Sequence, residues 1–445
     1  MTSPWSAELG RSVAVRRHSG EYQCDETTTT IQEALQGLGV AWTDIIEPGD
    51  QVLLKPNLIR ESHTRRSDEW EQIITHGSVV EAVARAAAGA LKGNGRIVIA
   101  DSPQTDSDFA AIDSRLGLTA LARQLSRAHT GVSVEVVDLR REHWRTSRGA
   151  VLERTKVPDA PGGYTEVDLG RNSLFYGRDA NFYGADYDTE FTREHHQGER
   201  HAYLLARLAL DADVFINLPK LKTHKKVGIT VSLKNLVGIN GDKNYLPHFT
   251  MGTPTEGGDE FPPTTRSGRL QSKAIRAFKR AALAAPTVAG VVGPAIKRAG
   301  EAVWGRTDAV VRSGNWHGND TAWRMVLDLN RILLHYDGSG SRRTRPLRYL
   351  SIVDGIVAGE GDGPMEADAV RAGVILAGTN PAAVDLVAAR LMGFDWRRLP
   401  MIREAFAEHD LPIATFAPDE IQIIPELGDS FHFRPHFGWR GAIEL

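Results

Sequence analysis

The sequence predicts an α/β protein: a mostly parallel sheet with helices on both faces, plus a helical basic insertion. Three observations carry this. Arg96-Ile-Val-Ile-Ala-Asp101 and Val214–Leu218 are short, almost unbroken apolar runs of the kind that fill strands covered on both faces. Such runs alternate with helix-period segments, the signature of strand–helix units feeding a parallel sheet. The alternation stops over residues 252–318 and resumes near Tyr349.

Taken in order, residues 12–17 alternate toward a first strand and residues 30–38 toward a short helix. Residues 50–59 read as a strand running into a loop, with Lys55 and Asn57 at its exit; Pro56 cannot donate to a ladder and should end it. Ser78-Val-Val-Glu81 spells a capping box in front of an alanine-rich helix reaching Ala90. The strand 96–101 ends in Asp101-Ser102-Pro103. A helix is expected over 116–128 and a strand over 132–139. Residues 140–198 are polar, turn-rich and aromatic, which argues an ordered excursion, since disordered segments are poor in aromatics. His195, His196 and His201 are better read there as surface histidines than as metal ligands. A helix over 202–210 then leads into the strand Val214–Leu218.

Within residues 252–318, the stretch from Arg266 to Arg306 holds nine basic residues and one acidic, Glu301, on an amphipathic pattern. That suits either an anionic membrane surface or a helical insertion packed on the main body with a solvated basic side. A helix over 323–334 follows. A strand over 349–354 then runs into a glycine-rich loop, 355–364, presenting Asp354, Glu360 and Asp362. Another strand covers 373–378, Thr379-Asn380 precede a helix opening at Pro381, and a last strand covers 421–424. The organisation read from this is an α/β domain over 1–251, a helical insertion over 252–318, and an α/β continuation over 319–445 that completes the core or forms a second lobe.

Composition bounds the function classes. The 445 residues are 41% hydrophobic and 24% charged, enough apolar material for a sizeable core. A net charge of -3 argues against a general nucleic-acid binder while allowing local basic patches. The single cysteine, Cys24, excludes an internal disulfide and a cysteine-ligated iron–sulfur cluster. With no signal-peptide pattern and no long apolar run, a cytoplasmic location is expected. No dinucleotide, Walker or nucleophile-elbow motif occurs.

The chemistry concentrates after Val214–Leu218. Lys220, Lys222, His224, Lys225, Lys226, Lys234, Asn235, Asp242, Lys243 and His248 are interleaved with Pro219, Gly228, Gly238 and Gly241. The turn residues place these side chains on loops at a strand end, where open α/β sheets bind ligands. Cations crowded there repel one another unless an anion or a set of carboxylates compensates them. A solvated basic face is the alternative. On the first reading, His224, Lys234 and Lys222 are catalytic, with imidazole as the acid/base group. Lys55, Asn57, Lys220, Asn235, Lys243 and Ser102 bind a small carboxylate or phosphate. His248, Asp242 and Asp354 are candidates for a divalent metal such as nickel or magnesium.

Leu54-Lys-Pro-Asn-Leu, Thr75-His76, Ala100-Asp-Ser-Pro103, Ala212-Asp-Val-Phe-Ile-Asn-Leu-Pro-Lys-Leu-Lys-Thr-His224, Leu233-Lys-Asn-Leu-Val-Gly238, Val353-Asp-Gly355 and Asn380-Pro-Ala-Ala-Val-Asp385 together resemble an uncharacterised bacterial and archaeal family, domain of unknown function 362. Some members carry iron–sulfur segments that one cysteine cannot supply. The spacing of His224, Lys234 and His248 is also similar to that in the N-terminal domain of nickel-pincer lactate racemases. There the resemblance implies an acid/base histidine, a lysine holding the pincer covalently and a histidine on nickel. The chain departs at Asp101-Ser102-Pro103, where those enzymes have a second catalytic histidine, and at Lys55-Pro56-Asn57 in place of an acidic-Thr-Arg loop.

The reading that follows is an enzyme acting on a small anionic substrate by proton transfer, an isomerase or racemase-like activity, or a metal-assisted lyase. The alternative is a non-catalytic anion-binding accessory protein touching a membrane surface through 266–306. Nucleic acid is the least favoured partner, because only Tyr245 lies near the lysines to stack on a base.

Overall fold

Eleven strands form one sheet in the computed structural model, which describes residues 10–147, 150–178, 180–186, 188–263, 311, 313–426 and 428–445. In chain order they are β1 (Ser12–Arg17), β2 (Gln51–Pro56), β3 (Gly95–Asp101), β4 (Val132–Asp138), β5 (Val214–Leu218), β6 (Lys220–His224), β7 (Gly228–Thr230), β8 (Arg348–Asp362), β9 (Glu366–Val370), β10 (Val374–Gly378) and β11 (Gln422–Ile424). The path across the sheet is β11-β1-β10-β8-β5-β2-β3-β4, with β6 and β9 added along the far half of β8 and β7 folded back on β6. Strands β4, β3, β2, β5 and β8 are mutually parallel, while β10 runs against both β8 and β1. The sheet is therefore mixed and mostly parallel.

Alternation along the strands sorts their side chains onto two faces. Val52, Leu54, Ile97, Ile99, Val214 and Ile216 share a core with helices α1 (Cys24–Gly37), α2 (Gly77–Ala90) and α3 (Leu118–Ala128). Leu53, Val98, Phe215 and Val353 share the other with α4 (Ala322–His335) and α5 (Pro381–Leu391). Each fully buried Leu, Ile or Val contributes roughly 1.5–3 kcal/mol, so two filled faces hold the central strands in register. Strands from both sides of residues 252–318 pair in this one sheet.

Several local expectations are corrected. Residues 220–224 form the buried strand β6 instead of a loop, because β8 continues past Asp354 and offers them a parallel partner. The expected glycine-rich loop at 355–364 is mostly strand: Gly359 lies so close to Lys222 and Ala367 that a Cβ there would sit 3.0 and 2.9 Å from theirs. The expected helix at 202–210 is strand Arg200–Ala206 and then a single turn, Arg207–Leu210, since the apolar run pairs with Tyr164–Asp168. Gly117, at φ +68°, splits residues 109–128 into two helices. The cap of α2 is His76, whose Nδ1 accepts from Ser78 N, while Glu81 pairs with Arg85. Asn380 caps α5 through Ala382 and Ala383 N–H, as its placement before Pro381 suggested.

His195, His196 and His201 are buried, not on the surface, and each bonds a backbone carbonyl: Phe191, Tyr245 and Gly198. The basic stretch 266–306 lies outside the described residues. Among the described residues no helix is long and apolar enough to cross a membrane.

Candidate functional site

At the carboxyl ends of β2, β3 and β5 the strands open onto a cavity of about 280 Å³. Its wall holds Lys222, Lys225, Lys226, Lys234, Lys243, His224 and His248, with Asp101 and Asp186 as the acidic residues. Asn57, Ser102, Thr230, Asn235 and Gly238 complete much of the lining.

Three short elements position these groups. In β6, alternation puts Lys220, Lys222 and His224 on one face, with Leu221 packed into the core on the other. An irregular register, Lys220 opposite Asp354 but Lys222 opposite Gly359, sends the two lysines to different surroundings. The β6–β7 turn folds Lys226 N–H back onto His224 Nδ1 at 3.1 Å. The turn Ser232–Asn235 carries Lys234 and Asn235, and Asp385 of α5 anchors it by accepting Ser232 N–H (2.7 Å) and Leu233 N–H (3.2 Å). Burial pushes the Asp385 carboxyl up to about 8.

The candidate residues named from sequence divide into two groups. Lys222, His224, Lys234, Lys243, Asn57, Ser102, Asn235 and His248 line the cavity. Lys55 and Lys220 do not: each is fully buried in an ion pair, Lys55 with Asp101 (2.6 Å) and Lys220 with Asp354 (2.6 Å). Tyr22 Oη donates to that same Asp354 and accepts from Lys220, both at 2.8 Å, so this second pair is sealed away from the cavity. Asp242 accepts from Asn244 beside a neighbouring depression lined by Arg140, Arg141, Arg154 and Lys156. His248, Asp242 and Asp354 thus fall in three separate surroundings. Among the described residues no three His, Cys, Asp or Glu side chains converge to hold a metal. The structure therefore does not bring together the three residues expected to share a metal.

An amide network stiffens the floor. Lys222 Nζ donates to Asn57 Oδ1 (2.9 Å) and to the Ile73 carbonyl. Asn57 Nδ2 donates to Asn235 Oδ1 (2.9 Å), and Asn235 Nδ2 donates to Asn217 Oδ1 (2.7 Å). Lys243 Nζ donates to the Ser102 hydroxyl (2.8 Å) and carbonyl (2.9 Å). Gly238 crosses above the Lys55–Asp101 pair, where a Cβ would stand 1.9 Å from Asp101 Oδ1 and 2.7 Å from Lys55 Nζ. Gly238→Ala should therefore cost about 1–3 kcal/mol from overpacking, read as a lower denaturation midpoint. An unchanged midpoint would mean that the loop shifts freely.

Burial and mutual repulsion shift the cavity's lysines and histidines toward their neutral forms. Burial, then Lys243 and Lys55, lower Lys234 to about 7. Burial lowers Lys243 to about 8 against the pull of Asp101 and Asp186. Burial and the neighbouring Lys220 and Lys234 take Lys222 well below its usual range. Burial raises Asp186 to about 6. His224 and His248 are both pushed well below the usual imidazole value, first by burial and then by surrounding lysines, so both rings are neutral. Their tautomers follow from their partners. His224 Nδ1 accepts Lys226 N–H, so its proton sits on Nε2. His248 Nδ1 faces the Leu246 carbonyl at 2.9 Å and must donate, leaving an Nε2 lone pair. Nothing in the sequence marks Asp186 or Thr230; the buried Thr230 Oγ1 at the cavity wall has no hydrogen-bond partner among the described residues. Asp385 stood inside a quoted motif without a role.

Among known proteins, a thylakoid-associated protein of Synechocystis sp. is 26% identical over 243 residues, 54% of this chain and 55% of its own. The chain thus spans about half the length of the curated relative it matches. A crystal structure of a Thermotoga maritima protein is similar at a TM-score of 0.32 and 10% identity, over 79% of this chain and 54% of that one. The lactate racemase apoprotein of Thermoanaerobacterium thermosaccharolyticum is distantly similar at 0.30 and 10%, over 87% and 58%. The model of the domain of unknown function DUF362 matches residues 52–169 and 163–390, and the chain belongs to that family.

Proposed function

We propose that the cavity binds a small carboxylate and that the protein is an enzyme moving a proton on a carbon of that molecule. The observation that carries this reading is the wall itself: five lysines and two neutral histidines around one small space, with Asp101 already committed to Lys55. Such a wall is short of negative charge, and an anion supplies it. Lys222 and Lys243 hold the carboxylate. His248 Nε2 offers the lone pair that takes the proton, and His224 Nε2–H donates to the oxygen on which negative charge develops.

The test is calorimetric titration with pyruvate, and separately with inorganic phosphate, in two buffers of different ionisation enthalpy. An anion favours the charged form of the lysine that holds it, so Lys243 rises from about 8 on binding. The complex then holds more protons than the free protein. Near pH 8 binding should take up roughly half a proton, and affinity should fall as pH rises further. Equal heats in both buffers, or no binding of either anion, would overturn the reading.

A further inference from the structure

Five lysines line the cavity, and the fate of each amine differs. Lys222 is tied to Asn57 and Ile73, Lys243 to Ser102, and Lys226 to the Ser313 carbonyl. Lys225 and Lys234 make no hydrogen bond or ion pair through their amines among the described residues. Their neighbours separate them. Burial lowers both amines, but at Lys225 the carboxylates of Glu366 and Asp362 oppose that shift. At Lys234, Lys243 and Lys55 add to the effect of burial and bring the amine to about 7. A free amine beside other cations, with a neutral basic imidazole on the same wall, is the arrangement of a lysine nucleophile.

We propose that Lys234 condenses with the carbonyl carbon of a small 2-oxo carboxylic acid whose carboxylate is held by Lys222 and Lys243. The amine nitrogen attacks the carbonyl carbon, forming a C–N bond as the C=O π pair moves to oxygen. His224 Nε2–H hydrogen-bonds that oxygen as its charge develops. The nitrogen gives up both of its protons to that oxygen, the C–O bond breaks as water leaves, and an imine remains, with no change of oxidation state. Protonated, that imine draws electrons from the adjacent carbon and acidifies its C–H, whose proton His248 Nε2 takes. The inference rests on the anion-binding reading and deepens it, because it names the substrate class and gives Lys234 a covalent role.

The experiment uses the full chain with pyruvate and sodium cyanoborohydride near pH 7.5, followed by intact-mass and peptide analysis. The expected result is one adduct per chain, heavier by pyruvic acid less one oxygen, on the peptide holding Lys234. Excess inorganic phosphate should suppress it at least tenfold, and Lys234→Arg, which keeps the charge, should lose it. Lys225→Arg should keep it, which guards against a general loss of folding in the variants. Label spread over surface lysines, label on Lys225, or label surviving in Lys234→Arg would each overturn the proposal. Pyruvate binding by calorimetry without any adduct would end the imine and leave the anion site standing; absence of binding would end both.

Discussion

Asp101→Ala should destabilise the fold by roughly 3–5 kcal/mol, the usual cost of stripping one partner from a buried ion pair. Asp101 Oδ1 accepts Lys55 Nζ (2.6 Å) and Ser102 N–H (2.8 Å), and Oδ2 accepts Leu58 N–H (2.6 Å). Removing the carboxylate leaves a fully buried ammonium without a counter-charge and Leu58 N–H unpaired, while Ser102 N–H keeps the Gly238 carbonyl at 2.8 Å. Because the loss lies mainly in that orphaned ammonium, adding Lys55→Met should recover part of it. A double mutant no better than Asp101→Ala would show that the Leu58 donor dominates instead. Guanidinium denaturation followed by circular dichroism reads all three variants.

The second large effect is on chemistry. Lys234→Ala, His248→Ala and His224→Ala should each lower turnover by about 10²–10⁴-fold with folding intact. The readout is exchange of the methyl protons of pyruvate for deuterium in D2O, followed by NMR. Glutamine distinguishes the two histidines. At 224 its amide N–H can replace the donor and restore part of the rate. At 248 it cannot replace a base, so His248→Gln should stay as slow as His248→Ala. Rescue at 248 but not at 224 would reverse the roles that the tautomers assign.

How much of this was legible in the sequence depended on what each residue does. Val52–Leu54, Ile97–Ile99 and Val214–Ile216 announce strands because burial on both faces leaves no room for polar alternation. Lys220–His224 could not be read as a strand. Its lysines are buried only because Asp354 and Asn57, distant in the chain, supply their partners. The glycines of β8 read as a loop, yet Gly359 leaves room for the Lys222 and Ala367 side chains and the Gln72 carbonyl.

At the site, the cluster of Lys222, His224, Lys234 and His248 was visible from composition and spacing alone. Which lysines are neutralised inside the protein and which face the cavity was not, since Lys55, Lys220 and Lys222 look alike in a sequence. The proton positions on the two imidazoles were equally hidden. They depend on a backbone N–H in one case and a carbonyl in the other.

Strand β1 sits between β10 and β11, so it finds its neighbours only long after its own synthesis. The apolar side chains of β1, Val13 and Ala14, must stay out of wrong pairings until residues 374–378 and 422–424 have emerged. Sheet closure at this margin is thus a late event. A ribosome-stalled chain ending before residue 374 should leave β1 open to protease attack.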